Sequence, residues 1–199
     1  MFSCMKRFLD IVSSFLVLVL LSPLWLVMAL LIVCESRGGV FYKQVRVGKD
    51  NKDFYLYKFR TMCTGSDSKG LLTVGERDSR ITRVGYFLRK YKLDEFPQLV
   101  NVLKGDMSIV GPRPEVRKYV DMYTPAQMRV LSVRPGLTDL ASIQYVHENE
   151  LLAASDDPEK TYIEEVMPAK LQLNLEYIDN QSVIGDVKLI LQTFAAILH

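Results

Sequence analysis

The sequence predicts an α+β protein in which a membrane-inserted helical segment precedes one small globular domain. Three observations support this fold class. Residues 11–34 contain no charged side chain, two later stretches carry β-branched and aromatic residues in near-alternation, and apolar residues recur at helical spacing toward the C-terminus. The remaining chain is long enough for one hydrophobic core but not comfortably for two. We therefore predict a membrane segment at 1–36 and a single domain at 37–199.

The uncharged segment is long enough to cross a bilayer, but it has a proline at its centre. A helix of 24 residues rising ~1.5 Å per residue covers the ~30 Å hydrocarbon core. Ser22 and Pro23 predict a kink, because proline lacks a backbone donor and a serine hydroxyl can bond a freed carbonyl group. Basic residues lie on both sides of the segment, so both flanks prefer the cytoplasm. The residues alone leave two topologies open, a re-entrant hairpin in one leaflet and a single bent span.

Charge and cysteine content narrow the classes of function. The net charge is only +2, and the basic residues concentrate at 37–60 and 77–92, which suits an anionic membrane surface or a phosphorylated substrate. No nucleic-acid-binding motif is present, so we expect no nucleic-acid partner. The three cysteines lack metal-ligand spacing, and the two histidines stand far apart. Disulfide frameworks, zinc sites and histidine-based catalysis are therefore not predicted.

A β-hairpin is predicted directly after the membrane segment. Its strands are VFYKQVRVG and DFYLYKFRTM, with a polar turn between them. A loop rich in Gly, Ser, Asp and Thr follows at 64–80, and then a short helix at 83–90. The next helix covers LDEFPQLVNVLKG, with Asp94 near its N-cap, Pro97 in its first turn and Gly105 as its stop.

The C-terminal half is predicted to be mainly helical. A short strand, MSIV, leads into the rigid, extended segment at 111–114. The further elements are helices at 115–122 and 125–132, a turn at 134–136, a long amphipathic helix from 156 to about 177, and a helix at 183–198. The last helix carries an apolar stripe that either faces the core or lies in a membrane interface, and both interpretations stay open. The stripe consists of Ile184, Val187, Ile190, Leu191, Phe194 and Leu198.

The candidate catalytic and phosphate-binding residues are concentrated between positions 89 and 113. Asp94, placed near a helix N-terminus, is expected to stay ionised and to be a competent nucleophile. Glu95 beside it doubles the negative charge, which favours Mg²⁺ bound by the two carboxylates together with phosphate oxygens. Arg89 and nearby lysines offset charge repulsion, and Arg113, between two prolines, is a rigid fork donor for phosphate.

Each of these features is common on its own. An adjacent Asp-Glu at a helix start is usually capping chemistry, basic residues beside it are usually a solvated face, and Gly-Pro-Arg-Pro is usually a turn. Their combination within 25 residues, after a membrane segment, predicts a site for an anionic substrate at a membrane surface.

The order of the motifs also resembles a known family. The matching features are the basic start, Ser22-Pro23, Lys58-Phe59-Arg60-Thr61-Met62, Asp94-Glu95, Gly105-Asp106-Met107-Ser108, Pro112-Arg113-Pro114 and Arg134-Pro135-Gly136. Together they resemble the monotopic phosphoglycosyl transferases, the bacterial sugar transferase family that starts glycan assembly on a polyprenol carrier. The resemblance covers nearly the whole chain and corresponds to the small form that consists of the catalytic domain alone. It favours the re-entrant hairpin at the N-terminus, on the cytoplasmic face of the bacterial inner membrane.

The resemblance implies a two-step reaction. Asp94 would attack the β-phosphate of a UDP-sugar and release UMP, and a polyprenol phosphate such as undecaprenyl phosphate would then take the phosphosugar from the carboxylate. Glu95 would hold Mg²⁺ or assist the second step. The product would be the first membrane intermediate of a capsule, O-antigen, exopolysaccharide or glycoprotein glycan. The candidate phosphate contacts are Arg89, Arg113, Arg134, Lys58 and Arg60.

Two alternative functions stay open at this stage. A membrane-anchored glycosyltransferase would release UDP instead of UMP, and a lipid-binding scaffold would release neither. The sequence also departs from the family pattern at Asp139, where many members have glycine after the Arg-Pro-Gly-Leu-Thr motif. The identity of the sugar and the oligomeric state, a homodimer included, are not fixed by the sequence.

Overall fold

The computed structural model describes residues 2–65 and 79–198, and it combines helices with two small two-stranded sheets. The predicted α+β class is confirmed. Most of the loop predicted at 64–80 lies outside the described residues. In chain order the elements are α1 (Phe2–Leu20), α2 (Ser22–Glu35), β1 (Phe41–Val47), β2 (Asp53–Phe59), α3 (Arg83–Lys90), α4 (Gln98–Lys104), β3 (Ser108–Val110), α5 (Arg117–Val120), β4 (Gly136–Thr138), α6 (Leu140–Gln144), α7 (Glu148–Ala153), α8 (Pro158–Thr161), α9 (Met167–Asp179) and α10 (Val183–Leu198).

The N-terminal segment forms two helices that meet at a bend of 63°. Pro23 lies in the first turn of α2, and the Ser22 hydroxyl donates to the Val19 carbonyl oxygen at 2.8 Å. Serine therefore bonds a carbonyl group at the break, as expected for a kinked helix. Within the described residues, no single helix is both long and apolar enough to cross a membrane, whereas α1 and α2 together meet that criterion of length and composition.

The predicted β-hairpin is confirmed. Strands β1 and β2 pair antiparallel, with Phe41 opposite Phe59 and Val47 opposite Asp53. Two residues of the connecting turn, Asp50 and Asn51, have left-handed backbone angles. Asp and Asn tolerate this conformation better than other residues with a Cβ atom, which explains why the chain can reverse there.

The helix predicted through LDEFPQLVNVLKG divides into two parts. Residues Leu93–Glu95 form a single 3₁₀ turn, and α4 begins only after Pro97. Pro97 has no N–H to donate to the carbonyl group of Leu93, which instead accepts from the Phe96 amide at 3.3 Å. Asp94 therefore lies in the first turn of a short 3₁₀ helix with Lys92 at its N-cap, and not at the start of α4, so the prediction of one continuous helix is wrong. The predicted stop at Gly105, with φ of 94°, is confirmed.

The turn predicted at 134–136 is also wrong, because the chain is extended there and Gly136 begins strand β4. This strand runs parallel to β3, with Ser108 opposite Gly136 and Val110 opposite Thr138. A Cβ atom on Gly136 would lie 2.2 Å from the backbone of Gly111. Glycine is present here because two backbones approach closely, and not because the chain turns.

The C-terminal helices follow the prediction with changes in length. The helix expected at 115–122 shrinks to α5, and the one expected at 125–132 is a 3₁₀ helix, Gln127–Ser132. The long amphipathic helix is present from α8 to the end of α9 and includes a π-helical turn, Tyr162–Val166. Its start is capped by Asp157, which accepts from the Lys160 amide.

Helix α10 is present, and most of its described apolar stripe does not face the core. Leu189 is buried and Ile190 is half-buried against the sheet β3–β4. The rest of the described stripe is exposed: Ile184, Val187, Leu191 and Phe194. The core-facing interpretation of the stripe is therefore wrong for these residues.

Both N-terminal helices pack on the rest of the chain. In α1, Lys6 pairs with Asp186 of α10, and Arg7 Nη1 donates to the Val102 carbonyl oxygen at 2.6 Å. In α2, the Trp25 ring packs edge-on against Phe59 with centroids 5.5 Å apart. The main buried cluster of the domain is Val116, Tyr119, Val130, Leu152, Tyr162, Val166, Met167 and Leu171.

Candidate active site

A cavity of about 740 Å³ opens where β2, the Leu93–Glu95 turn and the segment after β3 meet. Its size falls within the range of small-molecule sites. The structure brings most of the predicted site residues to its wall: Lys58, Arg89, Asp94, Glu95 and Arg113. Lys92, one of the lysines expected to offset charge, lines it as well.

Asp94 is buried in the wall of this cavity with one oxygen unpaired. The residue is 6% exposed, and its Oδ1 has no hydrogen-bond partner among the described residues. Burial and the neighbouring Glu95 raise the pKa of Asp94 above its ordinary value. Three cations lower this pKa in turn: Lys58, Arg89 and Lys92. The cations offset only part of the effect of burial and of Glu95, so the pKa of Asp94 stays raised, against the expectation that this carboxyl group is readily ionised.

Glu95 is held between two cations. Its Oε1 accepts a hydrogen bond from Lys58 Nζ at 3.2 Å and another from Arg113 Nη2. Burial alone would raise the pKa of Glu95, but Arg113 and Lys58 outweigh it and hold this pKa far below its usual range. Of the two adjacent carboxyl groups, Glu95 is the one whose charge is already compensated within the chain.

Arg113 and Arg89 of the cavity wall are fixed by neighbouring backbone and hydroxyl groups. Arg113 Nη1 donates to the Leu137 carbonyl oxygen at 3.2 Å, and the charge of Glu95 raises the pKa of Arg113 against the effect of burial. Arg89 lies in the last turn of α3, where its Nε donates to Thr61 Oγ1 at 2.9 Å. Both guanidinium groups therefore reach the cavity in defined orientations.

The structure places Arg60 and Arg134 away from the cavity wall, as far as the described residues define it. Arg60 is buried, and its Nη2 donates to the carbonyl oxygens of Ile32 and Ser36 at 3.3 and 2.7 Å. It thus caps the C-terminus of α2. Arg134 Nε donates to the Gly105 carbonyl oxygen at 2.9 Å, at the end of α4. Their predicted phosphate contacts stay predictions, but both groups have other acceptors here.

Asp10 of α1, which was not among the predicted residues, connects the N-terminal helix to strand β3 behind the cavity. The Asp10 carboxylate is buried and accepts from Ser108 Oγ at 2.7 Å and from the Ile109 amide at 3.2 Å. A lone acidic residue directly before an uncharged run was the available signal, because such a charge needs a partner.

The carboxylates of the cavity fit a cation that shares its ligands with a phosphate group. The described part of the chain contains no cluster of three or more potential metal-binding side chains. Mg²⁺ does not require one, since it commonly binds one or two carboxylates together with substrate phosphates and water. The buried, unpaired Oδ1 of Asp94 is a suitable ligand, and Glu95 stands beside it.

Comparison with known proteins identifies similar sequences over the full chain. Residues 1–199 match the family model described as bacterial sugar transferase. A UDP-N-acetylgalactosamine-undecaprenyl-phosphate N-acetylgalactosaminephosphotransferase from Aeromonas hydrophila is 42% identical over 99% of this chain and 44% of its own length. A UDP-glucose:undecaprenyl-phosphate glucose-1-phosphate transferase from Caulobacter vibrioides is 36% identical over 97% of this chain and 69% of its own length. An Escherichia coli enzyme with the same description is 38% identical over 95% of this chain, which spans 39% of that protein.

Proposed function

The chain belongs to the bacterial sugar transferase family, and on that basis we propose that it transfers a sugar phosphate from a UDP-sugar to undecaprenyl phosphate and releases UMP. The names of the relatives described above specify the transfer of different sugar phosphates to undecaprenyl phosphate. The cavity supports the same chemistry for this chain, because it combines acidic and basic groups that suit a diphosphate. The proposed product is a lipid-linked sugar for the assembly of a bacterial polysaccharide.

The observation that carries the proposal is the buried, unpaired Oδ1 of Asp94. A polar atom without a partner in a buried position is costly, and such groups cluster where a ligand or a reaction needs them. Glu95 beside it is already bound by Lys58 and Arg113. Asp94 is therefore the carboxylate that can attack, and Glu95 is the one that holds the two cations in place.

In the proposed first step, an oxygen of Asp94 attacks the β-phosphorus of the UDP-sugar. The bond between the two phosphates breaks, UMP leaves, and the sugar phosphate stays bound to the carboxylate. Arg113 and Arg89, which line the cavity, would bind the charged phosphate oxygens, because a guanidinium group donates in a fork that matches a phosphate. They lower the repulsion between the entering anion and the carboxylates.

In the second step, a phosphate oxygen of undecaprenyl phosphate attacks the same phosphorus. The bond to Asp94 breaks, its carboxylate is restored, and the diphosphate-linked sugar leaves with the lipid. Asp94 and Glu95 are the residues that would hold Mg²⁺, which would neutralise phosphate charge when bound. Splitting the reaction in two removes the need to bind both anionic substrates at once.

We further propose that 1–36 forms a re-entrant hairpin in the cytoplasmic leaflet and that 37–199 is the catalytic domain at that surface. Both arms of the hairpin bind the same domain, α1 through Lys6 and α2 through Glu35, which accepts from the Arg83 and Val84 amides at 2.7 and 2.9 Å. Ends that bind one domain lie on one side of a membrane. The apolar side chains near the bend, such as Leu20 and Leu26, are exposed.

The exposed stripe of α10 suits the same interface. A helix with one buried face and one exposed apolar face can lie in the plane between lipid headgroups and acyl chains. A water-soluble nucleotide and a lipid acceptor must meet at the cavity, and this arrangement would hold the cavity at the bilayer surface.

Release of UMP is the experiment that tests the reaction. The full chain in nanodiscs is incubated with undecaprenyl phosphate and a panel of UDP-sugars, and UMP and UDP are quantified. UMP release with one or more donors, lost in Asp94→Asn but retained in Asp106→Asn, supports the proposal; Asp106 lies outside the cavity. Release of UDP would indicate a glycosyltransferase, and release of neither nucleotide with any donor would indicate a non-catalytic scaffold.

A further inference from the structure

Asp139, where the sequence departs from the pattern it resembles, is completely buried at the end of β4. Its two carboxylate oxygens bind different parts of the chain. Oδ1 accepts from the Ser142 amide at 2.7 Å, and Oδ2 accepts from the Arg113 amide at 3.3 Å. The first contact caps α6, and the second reaches the segment that carries a phosphate-binding arginine of the proposed site.

The position of Asp139 follows from the parallel pairing of β3 and β4. Parallel strands end at the same edge of a sheet, so the residues that follow them are neighbours. Here the Gly111 amide donates to the Thr138 carbonyl oxygen at 3.0 Å, immediately before the segments that follow β3 and β4 separate. Asp139 connects these two segments, because it is the first residue after β4 and accepts a hydrogen bond from the segment after β3.

The donor in the contact with Asp139 is the backbone amide of Arg113, and neither neighbouring residue has an N–H group that could replace it. Pro112 and Pro114 lack an N–H group, so the Arg113 amide is the only backbone donor from 112 to 114. The Arg113 side chain is held separately, by the Leu137 carbonyl oxygen and by Glu95. The backbone contact to Asp139 therefore complements the contacts that orient the guanidinium group.

We propose that Asp139 is a positioning residue that fixes the Arg113 backbone, so that the guanidinium group meets the donor diphosphate in one orientation. Capping α6 does not require an aspartate, because serine and asparagine cap helices equally well. Only a carboxylate offers two oxygens that accept from both amides at once. The inference rests on the proposed function, in which Arg113 binds the donor.

The test separates the cap from the contact to Arg113. Asp139→Ser keeps a capping oxygen for the Ser142 amide but has no second acceptor for the Arg113 amide. We expect kcat/KM for UMP release to fall about tenfold, since small displacements of substrate-binding groups cost that much or more. In an Arg113→Lys background the same change is expected to cost about twofold or less, because the coupled partner is already altered.

A second cap serves as the matched control. Asp157 caps α8 by accepting from the Lys160 amide at 3.0 Å and does not line the cavity within the described part of the chain. Asp157→Ser is expected to retain kcat/KM within about twofold, since it replaces one capping residue by another. If Asp139→Ser does not fold, Asp139→Asn, which keeps the shape of the side chain, replaces it in the same cycle.

Hydrogen exchange provides a readout that does not depend on activity. The Arg113 amide should exchange at least about tenfold faster in Asp139→Ser than in wild type, because its hydrogen bond is lost. Equal exchange rates, or an activity loss of the same factor in both Arg113 backgrounds, would overturn the inference. If the wild type releases no UMP, the proposed function fails, while the exchange rate still decides whether Asp139 holds Arg113.

Discussion

Replacing Glu95 by glutamine should destabilise the fold strongly, because two cations would lose the anion between them. The Lys58 and Glu95 side chains are 22% and 12% exposed, and their charged atoms are 3.2 Å apart. At an effective dielectric constant of about 20, a pair at this distance attracts with roughly 5 kcal/mol before desolvation is subtracted. Removing one partner of a fully buried pair typically costs about 3–5 kcal/mol. For this partly exposed pair, with Arg113 also affected, we expect a loss of about 2–4 kcal/mol in the free energy of unfolding.

Thermal unfolding by circular dichroism measures this loss. For a chain of this length, each kcal/mol corresponds to about 2–4 °C, so the Tm of Glu95→Gln should fall by about 5–15 °C. The scans are made in detergent with EDTA, so that metal binding does not contribute. Glu159→Gln is the matched control: Glu159 pairs with Lys118, but both side chains are 47% exposed. Such a surface pair should change stability by less than about 1 kcal/mol.

A Tm of Glu95→Gln within about 2 °C of the wild type, similar to that of Glu159→Gln, would refute this reasoning. It would mean that Lys58 and Arg113 do not depend on Glu95 for charge compensation. The assignment of Glu95 as the residue that holds these cations at the cavity would then have to be abandoned.

Two further predictions concern the metal and the membrane. Excess EDTA should abolish UMP release and added Mg²⁺ should restore it, because adjacent carboxylates repel a diphosphate; full turnover in EDTA would contradict the metal proposal. In a variant without native cysteines, neither Phe2→Cys nor Val40→Cys should react with an impermeant thiol reagent applied outside intact cells. Labelling at position 2 but not 40 would indicate a span, and replacing Ser22 and Pro23 by Ala and Leu should favour that labelling.

The features predicted correctly from sequence are those set by local patterns. The hairpin β1–β2 follows from alternation, and helix α3 follows from residues within its own range. The pairing of β3 with β4 was missed because it joins residues far apart in the chain. Gly136 was interpreted as a turn residue, since a glycine that permits close backbone approach has the same local signature as one in a turn.

The sequence predicted which residues belong to the candidate site, but not which contacts each of them makes. The sequence indicated several cations near Asp94, and it could not show that Arg60 caps α2 while Arg113 reaches the cavity. The environment of Asp94 depends on burial and on three-dimensional neighbours. For that reason the sequence could not show that burial and Glu95 raise the pKa of Asp94 and that nearby cations offset this only in part.

Intact-mass spectrometry of the chain with its UDP-sugar and no lipid acceptor tests the central claim most directly. We predict that the mass increases by one sugar phosphate and that the modification maps to the peptide containing Asp94. UMP should appear in a burst no larger than the enzyme concentration, and Asp94→Asn should form no adduct. A donor that turns over normally with undecaprenyl phosphate but leaves no adduct on the chain, or an adduct on another residue, would contradict the proposed covalent mechanism.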